Sequence, residues 1–415
     1  MASITFLELN CKNSLFAPAS VFVPFLQDLE TSAYSPFFSM IRRAWKHNNL
    51  DFVGFFKEDE YLSSAPSRFP SQPSGIIHES YLSPAFPKAI PVVFASNERF
   101  APSLGVCLQS MLEHCSNDRF YDVVILESNL LEDSKQRLAR LVKGMANVSL
   151  RFFNPTEIIS QYSLKKNPTD HISLETYYRF LIPDILPSYG KVLYLDCDTV
   201  INDDVAFLFE TDLQGKTFAA ALDAEIAGLR HGGDSLLVSY MQSVLGMGAD
   251  DPYFQVGVLV LDLERMKRTH SVKQWLTIAS ERKYRFNDQD ILNKECKGNI
   301  LQLDTVWNVV VDCGGRRLPL IMKAPAEISQ AYLQAREHPA LIHYAGFLKP
   351  WNDSSSDFAY VFWDYAKRST FYDRLLLLEK QAQEGKDHKS LSEYLFPRGS
   401  KRRQFMKKIY LRMMQ

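Results

Sequence analysis

The sequence of 415 residues has little cysteine and no excess of charge of either sign. Its six cysteines, at positions 11, 107, 115, 197, 296 and 313, form no Cys-x-x-Cys pair. This spacing argues against a zinc ribbon and against a dense disulfide framework, and reduced thiols in a cytosolic protein are the simplest interpretation. The formal net charge of −1 gives no overall field that would attract nucleic acid. Nucleic acid is therefore not predicted as a partner.

The first residues lack the features of a signal peptide and of a membrane span. The segment MASITFLELNCKN has no basic region and carries Glu8 early. The apolar stretch SLFAPASVFVPFL is interrupted by prolines and is shorter than the roughly 20 residues that cross a bilayer. We therefore expect a cytoplasmic protein.

Composition divides the chain into three regions. Residues 1–88 are rich in Phe, Pro and Ser and are predicted to form an N-terminal extension of unknown role, with a helix near PFFSMIRRAWKHNN. Residues 89–352 alternate apolar strands with amphipathic helices, which is typical of an α/β domain whose mostly parallel sheet is covered on both faces. Residues 353–415 are predicted to be helical and to end in a basic tail.

One predicted strand, in the segment KVLYLDCDTVIND, ends in two aspartates separated by one residue. In an extended segment Asp196 and Asp198 share a face, whereas Cys197 points away. Ligands of open α/β sheets bind beyond the carboxyl ends of the strands. Two carboxylates there suit Mg²⁺ or Mn²⁺, whose other ligands are commonly substrate phosphates. A nucleotide diphosphate is the natural partner of such a site, although aspartates can also simply end a strand in a turn.

Three further stretches carry side chains that suit the same site. Arg179 lies just upstream in HISLETYYRFLIPDILP, and FNDQDILN begins a predicted helix with two carboxylates and an amide. Taken alone, Asp288 in that segment would be a helix N-cap. HYAGFLKPW supplies His343, a nitrogen ligand or a core histidine, followed by Gly346 and Lys349, which suit a phosphate group.

From about residue 90 to 351 the chain resembles the family 8 retaining glycosyltransferases of the GT-A fold. The resemblance rests on six segments in family order: VVFASNERF, HISLETYYRF, VLYLDCDTV, YFQVGVLVLDL, FNDQDIL and HYAGFLKPW. Members include lipopolysaccharide galactosyl- and glucosyltransferases, and glycogenin is a distant relative. The resemblance implies a Rossmann-like, mixed but mostly parallel sheet flanked by helices, with an N-terminal extension and a C-terminal helical tail.

The resemblance also implies binding roles for individual residues. Asp196, Asp198 and His343 would bind Mn²⁺ (or Mg²⁺), which would bridge the two phosphates of a UDP-sugar. The implied donor-binding positions are Ala95 and Asn97 for the uracil, Arg179, Asp223, Asp288 and Gln255 for the sugar, Gly346 and Lys349 for the diphosphate, and Cys197 within the metal motif. The chain departs from the family at Asn97, where Asp is common, and at Gln255, where Asn is common.

The catalytic positions implied by the resemblance are Asp288, Gln289 and Asp290. Retention of configuration could proceed by double displacement, with Gln289 or Asp290 near the anomeric carbon, and a carboxylate is the better nucleophile. It could also proceed by front-side attack, in which the acceptor hydroxyl enters beside the departing UDP and Gln289 stabilises an oxocarbenium-like state. Both routes stay open from the sequence, and front-side attack is the preferred hypothesis.

The basic tail, residues 400–415, contains six Lys or Arg and no acidic residue. Drawn as a helix, it places its large apolar residues on one face, namely Phe405, Met406, Ile409, Tyr410 and Met413. Such a helix can lie on an anionic membrane, gaining about 1 kcal/mol per cation. Docking on its own domain or on a second subunit is the alternative. We predict peripheral contact with the inner face of the cytoplasmic membrane.

Together with these features, the resemblance implies a Mn²⁺-dependent, retaining hexosyltransferase. It would move galactose or glucose from a UDP-hexose to a cell-surface glycan or a lipopolysaccharide-type glycolipid. One alternative is a glycogenin-like self-glucosylating enzyme, with one of the 19 tyrosines as acceptor. The other is a non-catalytic nucleotide-sugar-binding protein, which would be expected to lose a metal-binding aspartate or the DQD acid. No oligomeric state is predicted.

Overall fold

Ten strands form two sheets in the computed structural model, which describes residues 81–162, 164, 174–281 and 284–387. The strands are β1 (Ile90–Ser96), β2 (Tyr121–Glu127), β3 (Val148–Phe153), β4 (Lys191–Asp196), β5 (Thr199–Ile201), β6 (Phe218–Ala220), β7 (Val258–Asp262), β8 (Ile300–Gln302), β9 (Val309–Val310) and β10 (Leu341–His343). The predicted basic tail and the helix predicted near residues 36–49 lie outside the described residues.

The larger sheet has seven strands in the order β3-β2-β1-β4-β7-β6-β8. Among these seven, β7 alone runs antiparallel to its neighbours. Each residue of β1 and of β2 is buried, as expected for inner strands covered on both faces. The predicted mixed but mostly parallel sheet is thus confirmed.

Helices cover both faces of this sheet. The α-helices of the described residues are α1 (Ala101–His114), α2 (Glu132–Leu141), α3 (Thr156–Ser160), α4 (Ile182–Ile185), α5 (Val205–Phe209), α6 (Ala224–His231), α7 (Ser235–Ser243), α8 (Leu263–Thr269), α9 (Val272–Ala279), α10 (Asn287–Glu295), α11 (Leu318–Ile321), α12 (Ala326–Glu337), α13 (Ala359–Arg368) and α14 (Tyr372–Asp387). Three 3₁₀ helices span Glu98–Phe100, Leu174–Leu181 and Thr305–Asn308. None of the helices within these residues is both long and apolar enough to cross a membrane.

Alternate residues of the central strands pack into different hydrophobic clusters. Val192 and Tyr194 of β4 belong to the cluster that includes the 3₁₀ helix Leu174–Leu181, whereas Leu193 and Leu195 belong to the cluster that includes α1. The two clusters lie on opposite faces, because successive side chains of a strand alternate. The alternation continues past the end of β4, where Cys197 is buried in the α1 cluster.

The smaller sheet begins directly after the two aspartates. β5 pairs antiparallel with β10, and Thr199 lies opposite His343 in this register. The backbone N–H of Tyr344 donates to the carbonyl oxygen of Asp198 at 2.9 Å. The segment Asp196–Cys197–Asp198 therefore forms the crossing between the two sheets, and β10 brings His343 alongside it.

Residues beyond the predicted boundary at 352 pack against the sheet. Phe371 is fully buried in the cluster that contains Leu193 and Leu195. The division into regions 1–88, 89–352 and 353–415 stays a prediction. The five cysteines in the described part of the chain, residues 107, 115, 197, 296 and 313, are free thiols.

The close contact between α6 and α11 provides a test of this packing. A Cβ added at Gly228 would lie 2.0 Å from the carbonyl oxygen of Leu320. Because a backbone atom cannot move aside cheaply, we expect Gly228→Ala to lower the free energy of unfolding by about 1–3 kcal/mol, measured by urea denaturation. Gly190→Ala is the matched control, since nothing lies within 4 Å of its added Cβ. Equal stability of the two variants would contradict this packing.

Candidate active site

The candidate site lies where the strand order of the larger sheet reverses. β2 and β3 lie on one side of β1, whereas β4 lies on the other, and Ala95 of β1 is the register neighbour of Asp196. A reversal of this kind leaves a crevice beyond the carboxyl ends of the two strands, where nucleotides bind in open α/β sheets. Asn97, directly after β1, lies at the same edge as Asp196.

Three of the predicted ligands converge at this edge. One ligand atom each from Asp196, Asp198 and His343 lie within 4.8 Å of one another. The Nε2 atom of His343 is 3.2 Å from Oδ1 of Asp198 and 3.7 Å from Oδ2 of Asp196. The convergence follows from the pairing of β5 with β10, because the aspartates flank the start of one strand and His343 ends the other.

The second carboxylate oxygen of Asp196 is held by the protein. Its Oδ1 accepts hydrogen bonds from Nη2 of Arg179 and from the hydroxyl of Tyr194, both at 3.0 Å. The guanidinium also lies over the Tyr194 ring, 4.2 Å from its centroid. Arg179 is buried, so it compensates the aspartate from the core and leaves Oδ2 facing His343.

The carboxylate of Asp198 has the same division between its two oxygens. Its Oδ2 accepts a hydrogen bond from Nζ of Lys349, which also donates to the carbonyl oxygen of Tyr344 at 2.8 Å. Burial opposes ionisation, but the neighbouring ammonium of Lys349 holds the pKa of Asp198 well below its usual range. Its Oδ1 is the atom that faces His343.

The convergent atoms fit a divalent cation. Two carboxylate oxygens and one imidazole nitrogen form a donor set that suits Mn²⁺ or Mg²⁺. The backbone of Gly257 lines the cluster so closely that an added Cβ would lie 2.3 Å from Cε1 of His343 and 2.7 Å from Oδ2 of Asp196. The side chain of Asp196 is 27% exposed, so an ion can reach the cluster from solvent.

The first turn of α10 directs successive side chains to different partners, because neighbours on a helix diverge by about 100°. The carboxylate of Asp288 forms an ion pair with Arg179 at 3.0 Å and accepts a hydrogen bond from the hydroxyl of Thr176 at 2.5 Å. Burial raises the pKa of Asp288, although Arg179 lowers it. Asp288 does not cap the helix, since the N-cap position is Phe286.

Gln289 contacts a second predicted site residue. Its Nε2 donates to Oδ2 of Asp223 at 2.9 Å, while Oδ1 of Asp223 caps α6 by accepting the N–H of Ile226 at 3.0 Å. Burial raises the pKa of Asp223. The other amide atom of Gln289, Oε1, accepts a hydrogen bond from the N–H of Val256 at 3.4 Å, and the carbonyl oxygen of Val256 accepts one from Arg179. Hydrogen bonds thus connect Asp223, Gln289 and Arg179 through the backbone of Val256.

Asp290 is fully buried and is held on all sides by donors. It accepts hydrogen bonds from the hydroxyls of Tyr240 and Tyr253 at 2.5 and 2.7 Å, and from the N–H of Phe286 at 2.6 Å. Burial raises the pKa of its carboxyl. These contacts favour a structural role for Asp290 and leave Gln289 as the partly exposed member of the DQD segment.

The other predicted donor-binding residues take different places. Nδ2 of Asn97 donates to Glu175 at 3.1 Å. Gly346 is exposed and directly follows Ala345, whose carbonyl oxygen accepts from Arg317 at 3.0 Å. The side chain of Cys197 packs into the hydrophobic cluster around α1, on the face away from Asp196.

Three residues of the site were not among the predicted site residues. Tyr194 could have been found from the sequence, because it lies two residues before Asp196 and shares its face of the strand. Glu175 orients Asn97, and Oδ1 of Asn308 lies 3.0 Å from Nδ1 of His343. Both residues belong to 3₁₀ helices, and their partners are distant in the sequence.

The structural role of Asp290 can be separated from a catalytic one. Asp290→Asn would turn an amide N–H towards one of three donors, so we expect the free energy of unfolding to fall by about 1–3 kcal/mol in urea denaturation. Asp250→Asn, at an exposed position, is the matched control and should leave stability unchanged. An Asp290→Asn variant with full stability and no turnover would instead indicate a direct part in the reaction.

Comparison with known proteins identifies relatives among glycosyltransferases. The chain is 24% identical to general stress protein A of Bacillus subtilis (strain 168), over 64% of this chain and 88% of that protein. It is 27% identical to the glycosyltransferase GlyF of Streptococcus pneumoniae, over 66% of this chain and 60% of that protein. The match thus spans less than two thirds of the length of GlyF.

Two solved glycosyltransferase structures are similar over more than two thirds of this chain. The bifunctional glycosyltransferase WbbM, in its apo form, has a TM-score of 0.64 and 29% identity, covering 72% of this chain and 53% of that chain. The galactosyltransferase LgtC, in complex with donor and acceptor sugar analogues, has a TM-score of 0.55 and 25% identity, covering 68% of this chain and 96% of that chain. Both support the GT-A fold.

The sequence profile of glycosyl transferase family 8 matches residues 91–355. This range is more than half of the chain, and it contains the converging aspartates and histidine together with the first turn of α10. The resemblance seen in the sequence is thereby confirmed. The chain belongs to glycosyl transferase family 8 and has the GT-A fold.

Proposed function

We propose that this protein is a divalent-metal-dependent transferase that moves galactose or glucose from a UDP-sugar to a glycan or glycolipid acceptor, with retention of configuration. The observation that carries the proposal is the convergence of Asp196, Asp198 and His343 at the crevice between β1 and β4. The similarity to LgtC, a galactosyltransferase solved with donor and acceptor sugar analogues, supports a sugar donor and a sugar acceptor.

The diphosphate of the donor is proposed to lie between the metal cluster and Lys349. When bound at Asp196, Asp198 and His343, Mn²⁺ (or Mg²⁺) would offset the negative charge of the leaving diphosphate. Lys349 supplies a second positive charge. Its ammonium has three N–H donors, two of which engage Asp198 and Tyr344, so one is left for a phosphate oxygen. The backbone N–H of Gly346, three residues earlier, is proposed to assist.

The uracil and the sugar are proposed to occupy opposite sides of this cluster. Ala95 and Asn97 end β1 at the crevice and are the proposed contacts of the uracil. Arg179, Asp288 and Asp223 are the proposed contacts of the donor sugar. Arg179 and Asp288 are buried and paired with one another, so their hydrogen-bonding groups are held in place before the sugar binds.

The contacts of the DQD segment favour front-side attack. The carboxylate of Asp288 is paired with Arg179, and that of Asp290 is held by three donors, so neither is free to attack the anomeric carbon. Gln289 is the remaining member, and an amide is a weak nucleophile. In the proposed step the acceptor oxygen bonds to the anomeric carbon as the bond to the diphosphate breaks, and the hydroxyl proton passes to the departing oxygen.

An active-site glutamine also occurs in a relative. One LgtC structure is of an active-site mutant in which glutamate replaces a glutamine, with 25% identity to this chain and a TM-score of 0.54. By analogy, Gln289 is proposed to lie beside the reacting carbon, where its carbonyl oxygen can stabilise developing positive charge.

The acceptor is proposed to be a cell-surface glycan or a lipopolysaccharide-type glycolipid. The basic, amphipathic segment 400–415 lies outside the described residues, and its sequence carries this part of the proposal. Peripheral contact with the inner face of the cytoplasmic membrane would bring the transferase to a lipid-linked acceptor.

The proposal is tested by UDP release from a panel of UDP-sugars, with and without Mn²⁺. We expect one UDP-hexose to respond in a metal-dependent way. Asp198→Asn should reduce UDP release at least about 100-fold, because it replaces a metal ligand. Loss of a residue that only hydrogen-bonds to a ligand already lowers metal affinity or activity about 10–100-fold. The exposed Asp250→Asn variant is the control and should retain full activity.

Other outcomes distinguish the rival functions. Transfer of the sugar to a tyrosine of the protein itself would favour the glycogenin-like alternative. Tight binding of UDP and Mn²⁺ in calorimetry, with no release from any UDP-sugar and any acceptor, would favour a nucleotide-sugar-binding protein. Absence of UDP binding in the wild-type protein would refute the proposed donor site.

A further inference from the structure

We propose that Asn308 is a positioning residue that holds His343 in one tautomer, with the lone pair of Nε2 directed at Asp196 and Asp198. The inference deepens the proposed function and rests on it, since it concerns how the metal ligand is oriented. Asn308 ends the 3₁₀ helix Thr305–Asn308, lies 35 residues before His343 in the chain and is 3% exposed.

The backbone N–H of Gly257 sets the direction of the hydrogen bonds that lead to His343. The backbone N–H of Gly257 can only donate, and it points to the side-chain atom Oε1 of Gln255 at 2.7 Å. The atom of Gln255 at this position must therefore be the carbonyl oxygen and not the amide nitrogen. The ambiguity between oxygen and nitrogen that affects glutamine side chains is thus resolved by the network itself.

The orientation of Gln255 fixes the orientation of Asn308. The same Oε1 lies 2.6 Å from Nδ2 of Asn308. Because the carbonyl oxygen of Gln255 can only accept, Asn308 must present its amide N–H₂ to it. The carbonyl oxygen of Asn308 therefore points the other way, towards Nδ1 of His343 at 3.0 Å.

The orientation of Asn308 in turn fixes the proton on His343. Oδ1 of Asn308 has no hydrogen to donate, so Nδ1 of His343 must carry the proton of this hydrogen bond. A neutral imidazole that is protonated at Nδ1 has a lone pair at Nε2. That atom lies 3.2 Å from Oδ1 of Asp198 and 3.7 Å from Oδ2 of Asp196.

When His343 is neutral, three atoms with lone pairs therefore face one another, namely Oδ2 of Asp196, Oδ1 of Asp198 and Nε2 of His343. Such an arrangement is repulsive by itself and is stabilised by a cation placed between the atoms. Histidine ligands of metals usually donate their other N–H to a carbonyl or carboxylate oxygen, which fixes the tautomer and the ring orientation. Asn308 supplies that oxygen here.

The close approach of Gly257 keeps the ring in this position. A Cβ at residue 257 would lie 2.3 Å from Cε1 of His343, so the ring packs directly against the glycine backbone. His343 is 1% exposed, and the surrounding groups leave it little freedom to tilt. Gly257 therefore has two parts in the arrangement: its N–H starts the hydrogen-bond chain, and its lack of a side chain admits the ring.

The test compares Mn²⁺ binding by full-length wild type, Asn308→Leu and Asn308→Asp in the presence of UDP, using the electron paramagnetic resonance signal of free Mn²⁺. Asn308→Leu removes the acceptor at similar size, and we expect Kd to rise about 10–100-fold. Asn308→Asp keeps an oxygen towards Nδ1, although its second oxygen then faces Oε1 of Gln255, so its Kd should lie closer to that of wild type than the Kd of Asn308→Leu does.

A second measurement reads the tautomer directly. In ¹⁵N-histidine NMR of the metal-free protein at pH 8, with the signal assigned by its loss in His343→Gln, we expect the Nδ1–H form of His343 in wild type. The same measurement on Asn308→Leu should show a shift towards the Nε2–H form. Should this variant fail to fold, the wild-type tautomer and the Asn308→Asp binding still decide the question.

The outcomes separate this inference from the proposed function. A wild-type His343 that carries its proton on Nε2 and none on Nδ1, or Mn²⁺ binding by a folded Asn308→Leu variant that equals wild type, would overturn the role of Asn308 while leaving the donor site intact. If wild type itself binds neither Mn²⁺ nor UDP, the proposed function fails as well.

Discussion

Two carboxylates held one residue apart repel each other, and the rest of the site is arranged around this constraint. Asp196 is compensated by Arg179 from the core, whereas Asp198 is compensated by Lys349 from the segment after β10. Each cation occupies one oxygen of its aspartate and leaves the other oxygen facing His343. The negative charge of both aspartates is thus balanced while one oxygen of each stays available to a divalent cation. The segment that connects the two sheets can therefore also provide metal ligands.

Arg179 extends the same compensation to α10. It contacts Asp196 through Nη2 and Asp288 through Nε, so the end of β4 and the first turn of the helix are held by one buried guanidinium. Leaving a buried charge without its partner costs about 3–5 kcal/mol. Gln289, the next residue of α10, is placed beside Asp223 by the same turn. We therefore propose that one connected set of ionic contacts positions three groups. These are the metal ligands, the residues that contact the donor sugar, and Gln289 beside the reacting carbon.

Periodicity predicted much of this arrangement and could not predict the rest. The apolar strands, the covered sheet and the opposite directions of Asp196 and Cys197 follow from alternation along a strand, and the structure confirms the fold. The burial of Asp290 could not be predicted in the same way. The helix period gives the direction of its side chain, but it does not show that Tyr240 and Tyr253 lie there and donate hydrogen bonds to the carboxylate. Asn308 was missed because its 3₁₀ helix meets β10 only through tertiary packing.

The most direct test of the central claim is anomalous diffraction at the manganese edge from crystals of the protein grown with Mn²⁺ and UDP. We predict one strong peak within coordination distance of Oδ2 of Asp196, Oδ1 of Asp198 and Nε2 of His343, with the diphosphate of UDP on its open side. Density for UDP in the crevice with no anomalous peak at these three atoms, or a peak bound elsewhere, would contradict it.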